Sequence, residues 1–328
     1  MAVVNKSVNL PVEYSTEIIR GVLGRSKALE LGRRLRDMRT HELYLNVNKE
    51  LPVAGWVASS QSPANSEGSE INRKPVGSYA YEGVKITAEE LAVIVPVAEA
   101  TLEDTEDFGI ELGAEIQEQI VGAFQQAIDS AVFHGTNAPW ANFNGLVADA
   151  TTKGATVAWD GQGGDHFYKA ISDAMEYVEK SGYLPNAILG GPSLRSAFRD
   201  SITTLGINVT DQGEIGALAR HIDLTGGFNE SSAFAVVGDF RYLVYSIRKD
   251  MTMKVLTEGV IQDPASGSIL YNLGQQDMFA IRAVMRLGFA LPNPVNRVSG
   301  TLSSDGKYIS KGSTAYPFAV ITKTSVSA

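Results

Sequence analysis

One stretch near the carboxyl end, residues 277–294 with the sequence DMFAIRAVMRLGFALPNP, constrains the fold more than any other part of the chain. At a period of two residues, one set of side chains is apolar: Phe279, Ile281, Ala283, Met285, Leu287 and Phe289. The opposite set contains Arg282 and Arg286. Because successive side chains of a strand point to opposite faces, this pattern predicts a long strand with one buried and one basic face. Burying an arginine without a partner is costly, so the two arginines need acceptors.

A helical pattern predicts a second long element. Apolar residues recur at helical spacing between residues 110 and 134: Leu112, Ile116, Ile120, Phe124, Ile128 (or Ala127) and Ala131. Acidic side chains crowd the start of this stretch, where the helix dipole favours them: Glu103, Asp104, Glu106, Asp107 and Glu111. Gly135 can end the helix. At about 1.5 Å per residue the helix would span about 37 Å, a length that suits a structural spine.

A polar segment between Val57 and Ile71 contains almost no large apolar residue and cannot form a core of its own. Strand-like pieces flank it, LPVAGWVA on one side and SYAYEGVKIT on the other. Two strands that leave and return around a polar tip predict a long protruding hairpin. In a compact enzyme, so long an irregular insertion would be a lid or a contact arm.

The remaining segments predict a mixture of short helices and strands. Before the hairpin, an amphipathic helix over residues 14–38 can be capped by Ser15 or Thr16, and Arg33, Arg34 and Arg36 gather near its end. After the long helix, the predicted elements are a helix over 166–182, a strand in NAILGG, a helix in PSLRSAFRDS, a loop-rich stretch over 206–232, a buried strand in AFAVVGD, two strands around Lys249 and Asp250, and a short strand in YPFAVIT. Because helices and strands mix without strict alternation, the predicted class is α+β.

Composition excludes several function classes. The chain has 328 residues, 44% of them hydrophobic and 20% charged, which predicts a folded chain of roughly two domains. A net charge of −9 makes it a poor binder of nucleic acid, because phosphate contacts need a surplus of Lys and Arg. It has no cysteine for disulfides or thiolate chemistry. The longest apolar run, LAVIVPVA, is far short of the roughly 20 residues of a membrane helix, and the N-terminus does not read as a signal peptide.

No catalytic, cofactor-binding or metal site is predicted. The four histidines, His41, His134, His166 and His221, form no HExxH or HxH pattern. The glycine-rich pieces lack the order of a phosphate-binding loop, and no GxSxG motif is present. The chain is therefore expected not to be an enzyme. The alternative that the residues leave open is a hydrolase with a flexible lid at residues 55–80.

Taken in order, these segments resemble the major capsid proteins of tailed bacteriophages, with the HK-ninety-seven-type shell fold. The resemblance covers residues 35–300 and depends on an ordered set of pieces: LYLNVNKELPVAGWVA, VKITAEELAVIVPVAEATLEDT, AIDSAVFHGTNAPWANFNGLV, NAILGGPSLRSAFRD, AFAVVGDFRYLVYSIRKDMTMKVL and DMFAIRAVMRLGFALPNP. It implies an N-terminal arm (1–47), an extended loop hairpin (48–88), a peripheral domain with the spine helix (89–150), an axial domain (151–248), a return to the peripheral strands (249–300) and a C-terminal tail (301–328).

The resemblance also implies the function and the partners. The protein is expected to self-assemble, as hexamers and pentamers, into an icosahedral head that encloses phage double-stranded DNA without sequence-specific contacts. Portal, scaffolding and decoration or cementing proteins are the expected partners, no membrane is involved, and the protein is made in the host cytoplasm and ends in the virion. An encapsulin-like compartment is the alternative within the same fold. Candidate interface residues are Glu67, Glu70, Arg73 and Lys74 in the loop and Arg282 and Arg286 on the strand, since arginine favours paired carboxylates at interfaces.

Some members of this family join neighbouring subunits by isopeptide bonds between a loop lysine and an asparagine, with a glutamate as proton acceptor. When the two patterns are aligned on Arg286, the asparagine position holds Asp277 and the glutamate position holds Val284. A carboxylate is a poorer acyl donor than an amide, and valine cannot accept a proton. The shell is therefore expected to be held together without covalent bonds, although Lys74 and Lys85 lie in or beside the loop.

Overall fold

The computed structural model describes residues 26–55, 76–100, 112–162, 165–200, 214–215 and 218–324. Within these ranges the helices are α1 (Lys27–Leu31), α2 (Leu112–His134), α3 (Leu146–Thr152), α4 (Asp165–Lys180) and α5 (Ser193–Asp200), with a 3₁₀ turn over Phe240–Tyr242. The strands are β1 (Arg33–Arg34), β2 (Glu42–Pro52), β3 (Ala80–Thr87), β4 (Glu89–Ala98), β5 (Thr156–Trp159), β6 (Ala187–Gly190), β7 (Glu214–Ile215), β8 (Leu218–Ile222), β9 (Ala235–Gly238), β10 (Val244–Leu256), β11 (Val260–Gln262), β12 (Ile269–Asn272), β13 (Met278–Ala290), β14 (Thr301–Leu302), β15 (Tyr308–Ser310) and β16 (Phe318–Lys323). The predicted α+β class is confirmed.

The first sheet has the order β1-β10-β13-β4, and α2 packs against one of its faces. Ile281 and Met285 of β13 lie in the same buried cluster as Ile120 and Phe124 of α2. The apolar stripe of the helix and the apolar face of the strand therefore cover each other, and this sheet will be called the spine sheet. The prediction of a long strand with one buried face is confirmed.

The long helix ends where the sequence predicts. Helix α2 stops at His134, and the following Gly135 has a φ of 71°, a left-handed conformation that glycine adopts without a steric penalty. The amide of Gly135 donates a hydrogen bond to the carbonyl of Ala131 and so closes the last turn. The acidic residues predicted at the start of the helix, 103–111, lie outside the described residues.

The prediction of two strands around Lys249 and Asp250 is wrong. A single strand, β10, runs through this dipeptide and pairs with β13 on both sides of it. The register shifts between Ile247 and Lys249 and again between Lys249 and Thr252. Such an irregularity lets extra residues leave the ladder while pairing continues on either side, so a polar dipeptide does not require a turn.

The arm is also organised differently from the prediction. Only a short helix, α1, is present in the described part of residues 14–38, and Arg33 and Arg34 form β1, which runs parallel to β10. The amide of Arg33 donates to the carbonyl of Leu243 and that of Leu35 to the carbonyl of Tyr245. Hydrogen-bond partners on the edge of the spine sheet therefore override the helical pattern. The predicted caps, Ser15 and Thr16, lie outside the described residues.

The largest sheet has the order β5-β16-β9-β6-β8-β7, and α4 packs on it through Phe167 and Ile171. The predicted helix over 166–182 and the strands in NAILGG and AFAVVGD are confirmed as α4, β6 and β9. The strand predicted in YPFAVIT is confirmed as β16, which lies between β5 and β9. Strand β8 was not predicted, because it falls in the stretch interpreted as loop-rich. The six-part division of the chain stays a prediction. This sheet includes β16, so it combines strands of the predicted axial domain (151–248) with a strand of the predicted C-terminal tail (301–328).

A third sheet, with the order β14-β15-β2-β3, is the stem of the predicted hairpin. Strands β2 and β3 pair antiparallel from Glu42 and Thr87 outward to Glu50 and Ala80. The stem begins at residue 42, six positions before the predicted start at residue 48. The polar tip, residues 56–75, lies outside the described residues. Strands β14 and β15, within the predicted C-terminal tail, widen the stem.

Candidate assembly interface

The face of the spine sheet opposite α2 is mixed basic and apolar. Register places Arg282 beside Lys254 of β10 and Ile94 of β4, and it places Arg286 beside Lys249 and Glu90. Directly opposed residues on neighbouring strands share one side of a sheet, so these side chains form one surface. We call it the basic face: Arg282, Arg286, Lys249 and Lys254, with Glu90, Ala92, Ile94, Thr252 and Val284. Four cations and one carboxylate make this face positive in an acidic chain.

Arg286 has a partner within its own subunit. Its Nε lies 2.7 Å and its Nη2 2.5 Å from Oε2 of Glu90 on the neighbouring edge strand. Both side chains are about two-fifths exposed, so water screens the pair and its contribution to stability is at most about 1 kcal/mol. The pair orients the arginine on the sheet surface and leaves one end of the basic face neutralised.

Arg282 differs from Arg286. Its side chain is half-buried and its Nε is enclosed, yet that nitrogen has no hydrogen-bond acceptor in the part of the chain that the structure describes. Its two neighbours in register, Lys254 and Ile94, offer no negative charge. Ile94 is itself 42% exposed. A contact with another subunit could supply the missing acceptor for Arg282 and bury Ile94 at the same time.

The hairpin stem exposes aromatic side chains. Tyr44 lies on β2, Tyr79 directly precedes β3 and Tyr81 lies on β3, and Tyr44 and Tyr81 are each at least 60% exposed. The rings of Tyr79 and Tyr81 meet edge to face with centroids 4.9 Å apart, and the hydroxyl of Tyr79 donates to Oδ1 of Asn48 across the hairpin. An ion pair between Lys85 and Glu42 bridges the two strands nearer the base. Tyrosines of this kind are enriched in protein–protein interfaces.

A second exposed apolar surface lies on the hairpin β11–β12. Within the described ranges the two strands pair only with each other, and Val260, Ile269, Leu270 and Tyr271 are all exposed, Ile269 by 65%. An isolated two-stranded hairpin is only marginally stable in water. Its apolar side chains would be buried by contact with another molecule.

Of the six predicted interface residues, the structure describes two. Arg282 and Arg286 share one face of β13, as the alternation predicts. Glu67, Glu70, Arg73 and Lys74 lie outside the described residues. Sequence reasoning missed Glu90 and Lys254, since their approach to β13 depends on strand order. Tyr79 and Tyr81 were visible in the strand pattern, where they occupy alternate positions in SYAYEG.

Among the described residues, no group of three or more His, Asp or Glu side chains could hold a metal ion. Within the same ranges, no helix is long and apolar enough to cross a membrane.

Comparisons with known proteins identify the fold. A family model described as the phage capsid family matches residues 7–296. A solved structure from Microbacterium phage Oxtober96 is 28% identical, with 92% of this chain and 91% of that chain covered and a TM-score of 0.73. One from Mycobacterium phage Adephagia is 24% identical, with 93% and 92% covered and a TM-score of 0.72. The capsid of an empty GTA particle, computed with C5 symmetry, is 13% identical, with 99% and 95% covered and a TM-score of 0.51. No curated protein matches the chain.

A spine sheet with a partly paired basic face, a separate hairpin sheet and an exposed apolar hairpin define a structural protein that builds a shell. The family match extends over most of the chain, so this protein belongs to the phage capsid family. It is a structural major capsid protein, located in the capsid of the virion. The encapsulin-like alternative is not favoured by these matches, and the hydrolase alternative has no support from them.

Proposed function

We propose that the protein assembles, as hexamers and pentamers, into an icosahedral phage head that encloses double-stranded DNA, and that the loop hairpin of one subunit binds the basic face of its neighbour. The observation that carries the proposal is Arg282, whose enclosed Nε has no acceptor within the described residues. A polar group left in that state costs about 1–3 kcal/mol, and more when it is charged. A carboxylate from a neighbouring subunit would remove this cost.

The loop offers such carboxylates. Glu67 and Glu70 lie in its polar tip, and the stem that carries the tip is held by the described pairing of β2 and β3. Arginine binds carboxylates through parallel charge-assisted hydrogen bonds, which are stronger than neutral ones. Arg73 and Lys74 follow in the same loop and would meet acidic groups of the neighbour. The exposed tyrosines of the stem support the same contact by supplying apolar area.

The acidity of the chain supports enclosure of DNA without binding. A net charge of −9 repels phosphate within about 8 Å at physiological salt, which lets packaged DNA slide along the wall. The DNA would be introduced through a portal. We further propose that the subunit is made in the host cytoplasm and assembles with scaffolding and decoration or cementing proteins, and that it catalyses no reaction.

Self-assembly is the first test. Purified full-length protein, with and without crowding agents, is expected to form megadalton rings or shells in light scattering and negative-stain images. The cause is the exposed aromatic and apolar surface of the hairpin stem and of β11–β12, which a lone subunit leaves in water. A protein that stays a 35.2 kDa monomer at high concentration, under crowding and with a co-expressed scaffold, would contradict the proposal.

A charge exchange tests the loop contact itself. Arg282→Glu should leave the melting temperature close to that of the unaltered chain, because the Nε of Arg282 has no acceptor among the described residues, yet reduce shell yield at least tenfold. Combining it with Glu67→Lys and Glu70→Lys should restore assembly. Lys169→Glu, on the exposed surface of α4, is the control for the charge change, and its melting temperature is measured as well because it removes the ion pair with Asp173. If Arg282→Glu abolished shells and the loop substitutions did not restore them, Glu67 and Glu70 would not be the partners of Arg282.

A further inference from the structure

A buried carboxylate on the spine helix holds the N-terminal arm. Asp129 of α2 is fully buried, and four polar groups lie within hydrogen-bonding distance of its carboxyl oxygens. Its Oδ1 accepts from the Ser26 hydroxyl at 2.7 Å and the Ala28 amide at 2.9 Å. Its Oδ2 accepts from the Lys27 amide at 3.1 Å and lies 3.3 Å from the hydroxyl of Thr225. Because Ser26 is the N-cap of α1, Asp129 binds the amides that begin that helix.

A second buried carboxylate competes for the same hydroxyl. The side chain of Asp223 is 2% exposed, and its Oδ1 lies 2.6 Å from Oγ1 of Thr225. Oγ1 also accepts from the Gly227 amide at 3.3 Å. A threonine hydroxyl has one proton and two lone pairs. When that proton is given to the nearer Asp223, the contact between Oγ1 and Oδ2 of Asp129 is a hydrogen bond only if Asp129 itself carries a proton.

The charged groups around this cluster do not neutralise it. On α1, the Lys27 ammonium is 2.6 Å from Oε2 of Glu30, and Glu30 is also 3.6 Å from Nδ1 of His221. On α2, His134 accepts the amide of Asn229 through Nε2, and burial lowers its pKa below the ordinary value. Among the described residues, no basic side chain forms an ion pair with Asp129 or Asp223. Two enclosed carboxylates therefore share one hydroxyl without a counter-ion.

We propose that Asp129, Thr225 and Asp223 form a proton-binding clasp, in which docking of the N-terminal arm on the spine helix is accompanied by protonation of Asp129. The proton forms the O–H bond that Asp129 donates to Thr225, and it comes from solvent. The docked arm encloses Asp129, and undocking opens it to water. Acidification therefore tightens the arm, and a rise in pH loosens it.

The direction of this effect follows from linkage. Burial, first among several causes, raises the pKa of Asp129 to about 6 in the docked state, and the neighbouring Asp223 acts in the same sense. In an undocked arm the carboxyl has an ordinary value near 3.9. The stabilisation is complete below the undocked value and is lost as pH rises through about 6. Between pH 5.0 and 7.5 the docking constant is expected to fall about tenfold.

Hydrogen–deuterium exchange of the full-length chain tests the clasp. The readout is protection of the amides of Lys27–Leu31 at pH 5.0 and 7.5, corrected for intrinsic exchange, with amides of α2 as the internal reference. Asp129→Asn keeps the volume and presents an amide N–H to Thr225 as the protonated acid would. It should remove the pH dependence of α1 protection. Because the Nδ2 of Asn cannot accept the Lys27 amide as Oδ2 does, the change of protection with pH, and not its level, is the readout for this variant. Asp200→Asn, on the exposed end of α5, should retain the tenfold change.

The opposite results would overturn the proposal. If Asp129 were a permanently charged cap, protection of α1 in the unaltered chain would fall toward acid pH. A tenfold change that persisted in Asp129→Asn would assign the pH dependence to another group. If protection of α1 in the unaltered chain did not change with pH, protonation of Asp129 on docking would also be excluded. Unchanged protection of α2 and an unchanged melting temperature show that each variant is folded, so that a loosened arm is not mistaken for global unfolding.

Discussion

Phe124 lies at the centre of the apolar stripe of the spine helix and is 2% exposed, in the cluster that joins α2 to the spine sheet. Phe124→Asp would place an unpaired carboxylate in this cluster and remove the ring, a change that costs several kcal/mol. Soluble folded protein is expected to be lost.

Ala123→Asp is the matched control for Phe124→Asp. Ala123 is exposed on the adjacent position of the same helix. The Ala123→Asp substitution should lower the free energy of unfolding only by the helix-propensity difference, less than about 1 kcal/mol, and leave the far-ultraviolet circular dichroism unchanged. Soluble yield and thermal melting distinguish the two variants, and equal tolerance would mean that the buried face of the helix is assigned wrongly.

Two glycines with the same left-handed φ of 71° separate backbone strain from steric clash. A Cβ on Gly135 would lie 1.9 Å from the carbonyl oxygen of Asn144, whereas a Cβ on Gly154 would have no atom within 4 Å. Gly154→Ala should cost about 1–2 kcal/mol, the penalty of that conformation alone. Gly135→Ala should cost clearly more, since the loop after α2 must move. Urea denaturation of both variants measures the difference, and equal midpoints would contradict the close approach.

At the scale of elements, the hairpin stem is separable from its tip. Strand β2 pairs with β3 on one side and with β15 on the other, so the stem has a sheet of its own. Deleting residues 59–72 should therefore leave a subunit with an unchanged melting temperature that assembles poorly, because the carboxylates that reach a neighbour are gone. Sedimentation of the deletion variant beside the complete chain measures assembly. Shells formed at normal yield would show that the tip is not a contact arm.

At the scale of the whole molecule, the shell is expected to be held by many non-covalent contacts. Asp277 and Val284 stand where a cross-linking member carries its asparagine and glutamate; in the structure Asp277 immediately precedes β13 and Val284 lies between the two arginines of the basic face. Lys85, beside the loop, is already paired with Glu42. Assembled shells boiled in detergent should run as a monomer near 35.2 kDa. A ladder of multimers with a lysine–asparagine linkage in mass spectrometry would overturn this expectation.

The candidate interface shows what a one-dimensional pattern can reveal. Alternation along 279–289 predicted β13 and placed Arg282 and Arg286 on one face, because a strand repeats every two residues whatever its partners are. Their different environments were not predictable. Glu90 meets Arg286 only because β4 lies beside β13, and Lys254 comes beside Arg282 only through the shifted register of β10.

The sequence alone therefore determined the long strand, the spine helix, the hairpin stem and the α+β class, since each depends on periodicities within a single segment. The tertiary structure decided the rest. Strand β16 lies between β5 and β9, and Arg33 and Arg34 pair with the edge of the spine sheet. Strand β10 continues through a polar dipeptide. Asp129 contacts Ser26 and Thr225. Each of these features depends on hydrogen bonds between residues far apart in the chain. Such pairings produce no local periodicity, so they cannot be predicted from one segment of the sequence.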